Sequence, residues 1–150
     1  METRPVFKVW KLSEGSKIPI QAHDTDTGWD VCAEVDFILP PKKLSAVPLG
    51  IVVKAPEGYY IELYPRSSLF KKHKCVLANS VGIVDGSFSG PNDKLMALLY
   101  NTSSELQHIE AGERILQMVP RKRLDIDLWD MTGQPFETGD RGGLGSTGEK

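Results

Sequence analysis

The 150-residue chain carries 18 basic and 20 acidic residues for a formal net charge of −2, with 40% hydrophobic and 25% charged residues. That length supports a single domain around one core, and the near-neutral balance excludes the counterion-releasing grip on nucleic acid that a strongly basic domain shows, so no polynucleotide partner is expected. The apolar content excludes extensive disorder.

Two cysteines, Cys32 and Cys75, stand without CxxC spacing. They imply neither a disulfide framework nor a zinc site and fit a reducing compartment. The start, Met1-Glu-Thr-Arg-Pro5, lacks a charged-then-apolar signal pattern, and no apolar run approaches the length of a membrane span. A cytoplasmic protein, or a host-cytoplasmic one for a viral chain, is expected, with no membrane partner.

In chain order, Val6 to Leu12 and Asp30 to Leu39 alternate apolar and polar residues, as half-buried antiparallel strands require. Asp24, Asp26 and Asp30 fail the helix–loop–helix calcium pattern, because Trp29 and Val35 stand where Gly and Glu are needed. Asp24 and Asp26 read as turn residues. Asp30 opens a strand directly after Gly28, which suits either a turn cap or a carboxylate looking into a site. Pro40-Pro41 ends that strand; Leu44–Val47, Gly50–Lys54 and Tyr59–Tyr64 are further strands, broken at Pro48 and at Ala55-Pro-Glu-Gly58.

Arg66 to His73 lacks Gly and Pro and can form a short helical turn. Arg66 followed by Ser67 and Ser68 is either a compact donor set for phosphate oxygens or a capped helix with an exposed arginine. Ser67, Ser68 and His73 do not make a serine hydrolase, since no GxSxG elbow is present. Cys75–Leu77, Gly82–Asp85, Leu95–Tyr100 and Arg114–Val119 are strand candidates. Asn79 to Gly90 reads as a hairpin with the Asp85 carboxylate near its mouth, although Asp-Gly alone is a common turn signal.

With 14 glycines and 10 prolines punctuating about a dozen short strands, the chain reads as an all-β sandwich or jelly roll. Met131 to Lys150 differs: it holds Gly133, Gly139, Gly142, Gly143, Gly145 and Gly148 with little to bury. It is either a frayed chain end or a loop whose backbone N–H groups wrap an anion. Gly143 to Gly148 has P-loop glycine spacing, but the lysine and hydroxyl that must open a helix after it are missing. No internal repeat is present.

Taken in order, Asp26-Thr-Gly-Trp-Asp30, Pro65-Arg-Ser-Ser-Leu69, Asn79 to Gly90, Gly112-Glu-Arg-Ile-Leu-Gln-Met118 and Arg141-Gly-Gly-Leu-Gly-Ser-Thr-Gly148 resemble the five motifs of the dUTPase family, homotrimeric type. The resemblance runs from about Ile20 to Gly148. One such motif is weak; five in order are specific. The resemblance implies a jelly-roll-like β-barrel of short, mostly antiparallel strands over 1–130. A flexible glycine-rich tail over 131–150 would close an active site shared between subunits of a homotrimer. It implies Mg²⁺-dependent hydrolysis of dUTP to dUMP and pyrophosphate, which lowers dUTP and supplies dUMP for thymidylate synthesis.

The same resemblance distributes the roles. Asp85 would be the general base for the attacking water. Arg66, Ser67, Ser68 and Gln117 would hold phosphates, and Asp30 would grip a water on Mg²⁺ as an outer-sphere partner. Asn79, Gly82, Ile83 and Val84 would receive uracil, with Phe88 and Met96 beside the deoxyribose. Arg141, Leu144, Gly145 and Ser146 would close from the tail.

Three features depart from the family pattern. Phe88 replaces a tyrosine, the fifth motif is short and has Leu144 at its aromatic position, and Pro91–Lys94 reads as a small insertion. A dCTP deaminase of related fold needs a glutamate at the base, and none lies between Asn79 and Gly90. A dUTP-sensing interaction protein is the competing reading from another class, against which the retained Asp85 favours hydrolysis.

Overall fold

The computed structural model describes residues 4–142. Among them the chain forms β1 (Lys8–Lys11), β2 (Trp29–Cys32), β3 (Phe37–Leu39), β4 (Leu44–Pro48), β5 (Ile51–Lys54), β6 (Tyr59–Pro65), α1 (Ser67–His73), β7 (Cys75–Leu77), β8 (Gly82–Val84), β9 (Met96–Asn101), β10 (Gln107–Ile109) and β11 (Arg114–Lys122). Every strand pair is antiparallel. A four-stranded sheet runs β2-β11-β6-β8, a three-stranded one β4-β9-β7, and two-stranded ladders join β1 to β5 and β10 to β3. The architecture is the expected all-β one.

Strand β6 shows how sequence alternation becomes a layer. Ile61 and Leu63 point into the core, where they meet Val31, Val53, Leu116 and Met118. Tyr60, Glu62 and Tyr64 take the opposite face, as a period of two dictates. There Glu62 accepts hydrogen bonds from Tyr60 Oη at 2.9 Å, Tyr64 Oη at 2.7 Å and Arg121 Nε at 2.7 Å. The Tyr64 and Arg121 donors, which outweigh burial, hold its carboxyl below the usual carboxylate range.

Three sequence expectations change in the structure. Asp30 to Leu39 is two strands, because the peptide groups between them are satisfied elsewhere: Ala33 N–H donates to Glu113 O and Glu34 N–H to Pro48 O. One ladder cannot continue when its donors turn to two different segments. Pro48 ends β4 inside the ladder, opposite Met96, a strand terminus where its missing N–H costs nothing. Asn79 to Gly90 does not pair with itself; β8 instead extends the sheet by pairing with β6.

The short β10 carries only Ile109 as a buried residue and gives the sequence almost no period to read. It is secured by Asn101, fully buried, whose amide donates to Leu39 O and Glu105 O and accepts from Ser103. In α1, Leu69 and His73, four residues apart, share the buried face. His73 Nε2 and Lys72 Nζ lie 2.7 and 2.6 Å from Glu113 Oε1, tying the helix to the turn that leads into β11. Burial of Glu113 pushes its carboxyl up, and the Lys72 and His73 donors more than offset this, leaving it below the ordinary range. Burial pushes the Cys75 thiol up to about 11, consistent with an inert core cysteine.

Candidate active site

The segment Asn79 to Phe88 and the start of β9 enclose a cavity of about 240 Å³, lined by Leu63, Asn79, Gly82, Ile83, Val84, Phe88, Lys94, Leu95, Met96 and Leu98. That is below the roughly 300–1,000 Å³ of sites that enclose a whole small molecule, so it takes part of a ligand. All six residues expected at the base and sugar, Asn79, Gly82, Ile83, Val84, Phe88 and Met96, line it. A Cβ on Gly82 would meet Leu63 Cβ at 3.1 Å, so a larger residue there would press on Leu63, which itself lines the cavity. Lys94, at the end of the inserted loop, also lines it and was missed by the sequence reading. The loop is closed by Asp93, whose Oδ2 accepts Gly90 N–H at 2.7 Å.

Asp85 follows β8 and is exposed. It lines a separate cleft of about 800 Å³ with Lys54, Glu57, Tyr59, Tyr60, Ser87 and Arg123 among its walls. Its backbone carbonyl accepts Phe88 N–H at 3.0 Å. This closes the turn that carries the acid away from the sheet while the apolar β8 anchors it.

A third group gathers at the other end of the same sheet. Asp30 Oδ1 lies 2.9 Å from Arg66 Nε and Asp30 Oδ2 lies 3.1 Å from Arg114 Nη1. Gln117, opposite Asp30 in the β2–β11 register, donates from Nε2 to Pro65 O at 3.2 Å. A Cβ on Gly28 would approach Gln117 Oε1 to 3.0 Å, so that glycine makes room for the amide. Ser67 and Ser68 open α1 with exposed side chains beside Arg66. Asp26 proves a turn residue as expected, with its Oδ2 accepting His23 N–H at 2.9 Å.

Asp85 and Arg66 do not meet within one chain, although Ser80 shares a cleft with Arg66 and Ser67. In the β6–β8 register Gly82 faces Leu63 and Val84 faces Ile61, so Asp85 emerges at the Tyr60 end of β6, whereas Arg66 follows Pro65 at the other end. Six residues of extended chain separate those ends, about 20 Å at ~3.3 Å per residue. Arg141 lies on the exposed segment that follows β11, and Leu144, Gly145 and Ser146 lie outside the described residues.

Among the described residues no group of three or more His, Cys, Asp or Glu side chains gathers to hold a metal ion. The Asp30 carboxylate accepts a hydrogen bond from Arg114 Nη1 and pairs with Arg66 Nε, and its roughly four lone-pair sites leave further acceptor capacity. This donor set fits a cation that arrives on a polyphosphate and is touched through its water.

The family model described as dUTPase matches residues 14–148, nearly the whole chain. The chain belongs to the dUTPase family. A deoxyuridine 5'-triphosphate nucleotidohydrolase of Rhizobium etli is 35% identical over 153 aligned residues, covering 98% of this chain and 96% of that protein. The crystal structure of a Streptococcus mutans dUTPase superposes with a TM-score of 0.74 at 28% identity, over 81% of this chain and 98% of that one. The dUTPase of Staphylococcus bacteriophage 80alpha, solved with dUPNHPP, reaches a TM-score of 0.82 at 24% identity, over 96% and 99%. Membership of this family makes the chain a hydrolase of nucleotide metabolism, a dUTP diphosphatase. No helix among the described residues is long and apolar enough to cross a membrane.

Proposed function

We propose that the chain hydrolyses dUTP to dUMP and pyrophosphate by in-line attack of a water held by Asp85 on the α-phosphorus. The observation that carries this reading is the exposed Asp85 carboxylate at the exit of β8, the strand whose Gly82, Ile83 and Val84 line the 240 Å³ cavity, in a chain of the dUTPase family. Uracil enters that cavity and pairs with backbone groups of Asn79, Gly82, Ile83 and Val84. Glycine at 82 supports this, because the backbone can approach a ring only where no Cβ intervenes. The Phe88 ring and Met96 bound the deoxyribose.

Asp85 accepts the water proton as the new oxygen–phosphorus bond forms, and the bond from the α-phosphorus to the bridging oxygen breaks to release pyrophosphate. Arg66, Ser67, Ser68 and Gln117 hold the phosphate chain, and donors placed where charge develops contribute most in a water-poor site. Bound with the nucleotide, Mg²⁺ supplies charge neutralisation on the phosphates. Asp30 keeps acceptor capacity for a water of that ion. Arg141 with Leu144, Gly145 and Ser146 closes the site, the tail of residues 131–150 acting as a cover for the barrel of residues 1–130.

The separation of about 20 Å between the Asp85 end and the Arg66 end of β6 supports assembly of each site from more than one copy in a homotrimer. Within the cytoplasm the reaction lowers dUTP and supplies dUMP for thymidylate synthesis. The test is pyrophosphate release from dUTP, dTTP, dCTP and UTP with Mg²⁺, for the wild-type chain and Asp85→Asn. Release from dUTP alone is expected, with a turnover drop of roughly 10²–10⁴ in the variant. Release that survives Asp85→Asn would remove the base from the mechanism. A wild-type chain that binds dUTP and releases nothing would make it a dUTP-sensing protein.

A further inference from the structure

Arg114 is the cation of the phosphate-side group that the mechanism above leaves unused, and the fold takes a specific step to place it. The β2–β11 register shifts between Arg114 and Leu116, so Ile115 is an extra residue in β11. Ile115 and Leu116 are both buried, at 1% and 0% exposure, while Arg114 is exposed. In an unbroken strand residues two apart share a face, and Arg114 would follow Leu116 into the core. A bulge re-aims side chains. This one turns Arg114 outward, onto the Asp30 carboxylate.

The same bulge also holds Arg66. The backbone N–H of Arg66 donates to Ile115 O at 3.2 Å, and its Nη1 donates to Arg114 O at 3.3 Å. Asp30 is thus shared: one oxygen takes Arg66 Nε, and the other takes Arg114 Nη1. Two guanidiniums on one carboxylate leave a net charge of +1. The Nη2 group of Arg66 has no partner among the described residues, and the Arg66 side chain is 28% exposed. If the Arg114 side chain were absent, Asp30 would pair with Arg66 alone, cancelling the charge of the pair and losing the second contact that fixes the carboxylate against which Arg66 rests.

We infer that Arg114 is a positioning residue for phosphate binding, acting through Asp30 to fix the carboxylate that braces Arg66 and to keep the net charge of the group positive. This rests on the reading that Arg66 holds the phosphate chain. A fork of donors in a fixed plane grips phosphate oxygens where a mobile cation only attracts them.

Binding of inorganic tripolyphosphate without divalent metal, and of deoxyuridine, tests this by titration calorimetry on the purified full chain. Arg114→Ala should weaken tripolyphosphate about tenfold or more, the scale of a charge-assisted hydrogen bond, and leave deoxyuridine affinity unchanged. Arg114→Lys, which offers Asp30 a single point donor, should fall between wild type and Arg114→Ala. In an Asp30→Ala background, Arg114→Ala should change tripolyphosphate binding less than about twofold, because the residue it acts through is gone.

An equal loss in both backgrounds would mean direct phosphate contact and overturn the positioning role. Parallel loss of deoxyuridine affinity would overturn it as a general structural effect, and so would unchanged tripolyphosphate binding in Arg114→Ala. Pyrophosphate release from dUTP by the wild-type chain is measured alongside. Coupled loss of tripolyphosphate binding in a chain that releases none would sink the hydrolase reading and leave this inference standing.

Discussion

The Arg66 group and the Asn79 to Phe88 cavity on the β2-β11-β6-β8 sheet are built in opposite ways. At the Arg66 end, three charged side chains from β2, the start of α1 and β11 lock one another through ion pairs at 2.9 and 3.1 Å. Around Asn79 to Phe88 the cavity is walled mainly by apolar side chains and glycine backbone, with Asn79 and Lys94 as its polar lining, and no ion pair among the described residues involves it. On the proposed function, phosphate would be recognised by charge braced at Arg66, and a base by shape and by backbone groups. One end therefore depends on which cations are present and how they are braced. The other depends on what is missing, above all a Cβ at residue 82.

That contrast predicts separable failures. Gly82→Ala should cost the base cavity roughly 1–3 kcal/mol through the 3.1 Å approach to Leu63 Cβ. It would be read as a raised KM for dUTP and weaker deoxyuridine binding with tripolyphosphate binding intact. Equal loss of both ligands would break the separation.

Acidification should weaken the fold through its paired carboxylates. Glu113, which braces α1 beside Arg66, has its carboxyl held below the ordinary range. Its contribution to stability is therefore complete above the unfolded value, near 4.3, and is lost as pH falls through the lower folded value. Glu62, lowered in the same direction by its Tyr64 and Arg121 donors, adds to the trend. The thermal midpoint should hold from neutral pH to about pH 5 and fall below it. Glu113→Gln should flatten the fall, and an identical profile in that variant would remove Glu113 as its source.

The smallest effect is expected at Phe88. Its ring is 42% exposed at the cavity rim, so Phe88→Tyr adds a hydroxyl that reaches solvent and should leave the preference for dUTP over UTP within about threefold, less than one hydrogen bond. A tenfold sharpening would show that the missing hydroxyl had a role in sugar choice.

Much of the base end was legible in the sequence. The run from Asn79 to Gly90 supplies Asn79, Gly82, Ile83, Val84 and Phe88 of the cavity lining, because local chain order there is also spatial order. Lys94 escaped because an inserted loop shows its length in a sequence but not where its last side chain points. The charged end was legible only in part: Arg66, Asp30 and Gln117 could be named, but Arg114 stood in a quoted motif without a role. Its direction depends on a bulge, and a bulge exists only when two strands pair out of step.

The sequence by itself determined the all-β class, the positions of most strands, the family and the residue types the chemistry needs, since alternation, turn residues and motif spacing are local properties. Only the tertiary structure decided that Asp30 to Leu39 divides between two sheets, that Asp30 is shared by two arginines, and that Asp85 and Arg66 leave opposite ends of β6. Those outcomes follow from which distant peptide groups satisfy one another's hydrogen bonds, and that is a property of the ladder network that no single segment carries.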